Sequence, residues 1–146
     1  MIERRRDTAP ACCAPPIGPP PILIMEGAPE SARAAREFVR EFMAFHVPDA
    51  SEDYVETAVL VACEMVTNSI RYGTEPGDSI QLTLDADHTR TRVEVQDPVR
   101  RRPHPRPESH KRDRGRGLII LDALCVDWGH TEAPFGKTVW AEVKAP

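Results

Sequence analysis

The chain has 146 residues, 40% of them hydrophobic and 29% charged. That is the size and balance of one globular domain, and it excludes a fully disordered or collagen-like protein. The longest apolar runs fall far short of the ~18 residues that a membrane-spanning helix needs, and the charged start followed by Pro-rich sequence gives no expectation of a secretory leader.

Residues 1–21 read as a disordered, Pro-rich tail, since six of the twelve residues from Pro10 to Pro21 are proline. Ile22–Met25 is a short apolar run expected as an edge strand. Pro29 to His46 reads as a helix, with Ala32, Ala35, Phe38, Val39, Phe42 and Phe45 at three- and four-residue spacing. A second helix runs to Tyr72, capped at its start by Asp49 or by Ser51 and stopped at Gly73. Ser79–Leu84 and Arg92–Gln96 alternate with period two around a turn at Asp85–Thr89, which predicts a hairpin. A stretch without periodicity follows, from Pro98 to Gly117. Leu118–Leu124 reads as a short helix, and Val126–Trp128 and Thr138–Val143 as the last strands, joined by a turn at Ala133–Lys137. Helices on one face of a mixed, largely antiparallel sheet make an α+β two-layer sandwich.

Charge is unevenly placed. From Val99 to Gly117 eight Arg and Lys residues stand against Glu108 and Asp113, a net +6 in a chain that totals −4. The remainder is acidic, which points to one local anion site rather than a basic surface. A basic-loop nucleic-acid binder is one rival reading. The basic segment has no aromatic residue to stack on bases, so no direct nucleic-acid contact is expected. Cys12, Cys13, Cys63 and Cys125 share no Cys-x-x-Cys spacing; free thiols and a cytoplasmic location follow as expectations. No ligand pair has zinc spacing.

In the second helix, Val55, Ala58, Val59, Ala62, Val66 and Ser69 lie on one stripe, the expected core face. Leu60, Val61, Glu64, Asn68 and Arg71 share the opposite side. Glu64 and Asn68 are one turn apart. They form either a functional pair among apolar residues or a solvated patch with a Glu64–Arg71 contact. Gly136-Lys137-Thr138 mimics the end of a P-loop, but Thr131 stands where that motif needs glycine and a strand follows where it needs a helix. Gly115-Arg116-Gly117-Leu118 is a better anion site, with two glycines ahead of a helix start.

Taken together, Glu64–Gly73, Val93–Asp97 and Gly115–Leu118 resemble the Bergerat nucleotide-binding fold of the GHKL superfamily, the histidine-kinase-like ATPases. The closing Gly136–Trp140 resembles the anti-sigma-factor serine/threonine kinase branch. The likeness covers about residues 22–144, and makes 22–146 an ATP-binding domain with a basic lid loop at about 98–117. It implies ATP and Mg²⁺ as ligands, with Asn68 holding Mg²⁺, Glu64 acting as general base or orienting the attacking group, and Asp97 receiving the adenine amino group. Gly115, Arg116, Gly117 and Leu118 would wrap the phosphates, and Thr138 would join the nucleotide site. The superfamily commonly has a glycine two positions after this Asp; here Pro98 and Val99 follow. The resemblance further implies a homodimer whose partners are a sigma factor and an anti-anti-sigma protein, the phosphate acceptor. A nucleotide-binding switch without transfer activity is the alternative.

Overall fold

The computed structural model describes residues 18–98, 119–134 and 136–146. The readings for most of the Pro-rich tail, for nearly all of the lid, and for Gly115, Arg116, Gly117 and Leu118 lie outside these residues. Seven elements run β1 (Ile22–Glu26), α1 (Ser31–His46), α2 (Glu52–Tyr72), β2 (Ser79–Ala86), β3 (Arg90–Asp97), β4 (Asp127–Ala133) and β5 (Gly136–Lys144). Residues 119–124 add a helical turn before β4. The strands form one sheet in the order β1-β2-β3-β5-β4, and every described pairing is antiparallel. β1 is an edge strand, as its short apolar run predicts.

The sheet presents one face to the helices. Ile80, Leu82 and Leu84 of β2, Val93 and Val95 of β3, and Ala141 and Val143 of β5 are all buried. The register sets Leu82 beside Val95 and Val93 beside Ala141, so these side chains fall in rows across the sheet. Ala35, Val39, Phe42 and Met43 of α1 close the core over them.

Helix α2 buries a wider arc than its periodicity alone suggests. Its middle lies over the sheet. One flank meets α1, where Arg36 donates to Cys63 Sγ at 3.4 Å and Arg40 pairs with Glu56 at 3.0 Å. Val61, placed by spacing on the side opposite the core, is fully buried, as is Met65, whereas Leu60 is 43% exposed. The start of the helix is settled by Ser51, whose hydroxyl accepts from the Tyr54 amide at 3.1 Å. Asp49 takes no part in that cap.

Both hairpin strands are longer than the alternating runs, which leaves a turn of only three residues. Asp87 holds it. Its carboxylate accepts from the Thr89 hydroxyl and amide and from the Arg90 amide, at 2.6–3.0 Å. These bonds lower its pKa from 3.8 to about 2, the Thr89 hydroxyl foremost. A depressed carboxylate stabilises the fold fully above its unfolded value, and the gain is lost as pH falls through the folded one. The turn is therefore expected to keep its contribution above pH 3.8 and to lose it towards pH 2. Carboxyl-carbon NMR titration should find Asp87 still ionised at pH 3, and an ordinary Asp midpoint would refute the assignment.

Cys63 and Cys125 are free thiols, both half-buried. Burial, helped by Asp122, pushes the Cys125 pKa up to about 11, so it carries no reactive thiolate at neutral pH. Among the described residues no group of three or more His, Cys, Asp or Glu could hold a metal. None of the described helices is long and apolar enough to cross a membrane.

Candidate nucleotide site

The site grows from the end of α2 and the end of β3. Asp97 is the last residue of its strand and is only 2% exposed. A carboxylate is costly to bury without donors, and the Ser69 hydroxyl donates to its Oδ2 at 3.0 Å. Its spacing along α2 places Ser69 on the core stripe. It is buried there and also orients the acidic group.

Two glycines make room for Asp97. A Cβ on Gly73 would collide with the Asp97 carboxylate, and one on Gly136 would collide with its backbone carbonyl. The helix stop at Gly73 thus has a second role besides ending α2. At Gly136 the neighbouring strand supplies close backbone approach next to Asp97.

A cavity opens beside this carboxylate. It is lined by Met65, Asn68, Ser69 and Tyr72 of α2, Asp97 of β3, Lys137 and Val139 of β5, Trp128 and His130 of β4, and Leu121 of the helical turn. Asn68 and Asp97, drawn from distant parts of the sequence, are therefore brought together. Glu64 is half-buried, one helical turn from Asn68, and does not line the cavity among the described residues. No ion pair joins it to Arg71 there.

Thr138 falls elsewhere. Side chains alternate along β5, and Val139, Ala141 and Val143 point to the helices. Thr138 therefore shares the opposite face with its cross-strand partners Gln96 and Thr131. The cavity-side position belongs to Lys137, the direct partner of Asp97. Extending the alternation of Val139 and Ala141 back by one step was the signal for it. The Gly-Lys-Thr run lies in a strand, which removes the P-loop reading.

Trp128 forms one wall, with its indole N–H donating to Asp122 at 2.7 Å. The only other tryptophan, Trp140, sits on the far face of the sheet with the Arg92 guanidinium 4.5 Å from its ring centre. This separation gives an optical test. A nucleotide entering the cavity is expected to change the emission of Trp128 alone. Trp140→Phe should keep the response and Trp128→Phe should abolish it; the reverse pattern would move the site.

The residues fit a nucleotide with its metal. The Asp97 carboxylate is an acceptor for an amino group on a base, and the Asn68 amide offers one hard oxygen, which suits a Mg²⁺ otherwise held by phosphates and water.

A family profile described as the histidine kinase-like ATPase domain matches residues 25–142. Among curated proteins nothing matches the chain. Two solved structures show a likeness at a TM-score of 0.45 each. The histidine kinase domain of the blue-light activated histidine kinase from Erythrobacter litoralis EL346 is 17% identical, over 64% of this chain and 45% of that one. The Acinetobacter baumannii histidine kinase AdeS is 10% identical, over 99% of this chain and 77% of that one. The chain thus spans less than half the length of the first.

Proposed function

Because the chain belongs to the histidine kinase-like ATPase domain family, we propose that it binds Mg-ATP and phosphorylates a serine or threonine of a partner protein, as an anti-sigma-type kinase. The observation that carries nucleotide binding is Asp97, a carboxylate 2% exposed at a strand end, held by Ser69 and facing the cavity that Asn68 also lines. The likeness of Gly136–Trp140 to the anti-sigma branch supports the choice of acceptor. On this reading the partners are a sigma factor, which the homodimer sequesters, and an antagonist protein that takes the phosphate.

In the reaction the acceptor hydroxyl attacks the γ-phosphorus. The new O–P bond forms as the bond to the β-phosphate oxygen breaks and ADP leaves. Glu64 accepts the hydroxyl proton. Asn68 would help to hold a Mg²⁺, and the ion would supply charge neutralisation for the transferring group.

The position of Glu64 outside the cavity lining favours a second reading, a nucleotide-dependent switch that transfers nothing. One assay separates them. The protein is incubated with radiolabelled ATP, Mg²⁺ and antagonist proteins from the same genome, with nucleotide occupancy recorded by native mass spectrometry. Label on a serine or threonine supports the kinase. Occupancy without label supports the switch, and no occupancy overturns both.

A further inference from the structure

We propose that Lys137 reads the adenine ring jointly with Asp97, presenting a hydrogen-bond donor beside an acceptor to the edge of the base. The inference rests on the nucleotide-binding reading above and names a specificity determinant within it.

Asp97 and Lys137 are direct cross-strand partners on the helix-facing side of the sheet, and both line the cavity. Such partners have Cβ atoms about 4.5–5.5 Å apart, and the lysine stem is long and flexible enough to converge on a shared ligand. On its other side Lys137 is partnered by Glu132 of β4. Among the described residues its ammonium forms an ion pair with neither Asp97 nor Glu132. His130 lines the same cavity from the edge strand, one strand further from Asp97. Among the described residues, Lys137 is therefore the cation placed beside that carboxylate.

The chemistry of the pair is one-directional. An ionised carboxylate only accepts hydrogen bonds, and an ammonium only donates them. Adenine shows an amino donor at position 6 next to a bare acceptor at N1. Guanine shows a carbonyl acceptor at position 6 next to an N1–H donor. With position 6 of the base set against Asp97, the Asp97–Lys137 couple matches adenine at both atoms and opposes guanine at both. A carboxylate alone would discriminate at one. Sites that hydrogen-bond a substrate group reject analogues lacking it far more strongly than apolar pockets reject a size change.

The test compares ATP, GTP and 1-deaza-ATP, in which a C–H replaces N1, by calorimetric titration of the full chain. The unmodified protein is expected to bind 1-deaza-ATP about 10- to 100-fold more weakly than ATP, the effect of removing a charge-assisted bond. Lys137→Met should bind the two within about twofold of each other and should lose part of its preference for ATP over GTP. Lys137→Gln, which keeps a donor, should retain part of the 1-deaza effect. Equal affinity of the unmodified protein for ATP and 1-deaza-ATP overturns the proposal, and needs no variant to fold. So does a Lys137→Met protein that keeps the whole 1-deaza loss. Failure to bind ATP at all overturns the nucleotide-binding reading itself, a distinct result.

Discussion

Glu64→Gln is expected to slow phosphate transfer by about 10²–10⁴-fold while leaving ATP affinity within a few-fold, the behaviour of a lost general base. The amide keeps the shape and hydrogen-bonding reach of the carboxylate and removes its basicity. Glu64 is half-buried, and no ion pair joins it to Arg71 among the described residues. The substitution should therefore change stability by no more than about 0.5 kcal/mol. Single-turnover transfer with pre-bound ATP separates the step from binding. Unchanged transfer would remove Glu64 as the base. Loss of ATP affinity in parallel would make it a binding residue.

Asp97→Ala is expected to weaken ATP binding by about 1.5–3 kcal/mol, or roughly 10- to 150-fold, the contribution of a hydrogen bond to a charged group. The same change removes the acceptor of the Ser69 hydroxyl, which is buried with it. Some loss of melting temperature will accompany the loss of affinity. Asp97→Asn keeps a carbonyl for Ser69 and serves as the control. Its amide can turn either a donor or an acceptor to the base, so ATP and GTP should bind more nearly alike. An Asp97→Ala protein that binds ATP as tightly as the parent would place the base pocket elsewhere.

The elements that the sequence made legible are those whose burial follows one simple period. β2 and β3 alternate cleanly because one face of each is core, and α1 is amphipathic because only one side of it is covered. α2 is harder to read. It has the sheet beneath it, α1 on one flank, and the cavity margin with Asn68 and Tyr72 on the other. A helix covered on several sides has no single stripe, which is why Val61 looked outward and is buried. β4 was read only as far as Trp128 because Gly129, His130, Thr131 and Glu132 show no apolar alternation. Its inward residues Trp128 and His130 line the cavity instead of the closed core, so the burial signal disappears where function replaces packing.

The same contrast holds in the site. Asp97 and Asn68 were legible as members of a motif. Lys137 lies inside the Gly136–Trp140 run but has no role assigned by it, and Trp128 belongs to no motif; the strand register sets Lys137 beside Asp97, and the cavity joins Trp128 to them. Thr138 lies one step along the strand from Lys137, and a single step reverses the face.

The fit of Asp97 between Gly73 and Gly136 bears on how this site can change over generations. One glycine accommodates the carboxylate and the other the peptide behind it, so all three positions are constrained together. Enlarging either glycine displaces the acid, and lengthening the acid to glutamate drives it toward the helix end. A mutational path to a different base preference therefore meets a ridge at each of these positions. Lys137, whose side chain borders open space, offers a lower route, and drift in ligand choice would be recorded first at that codon.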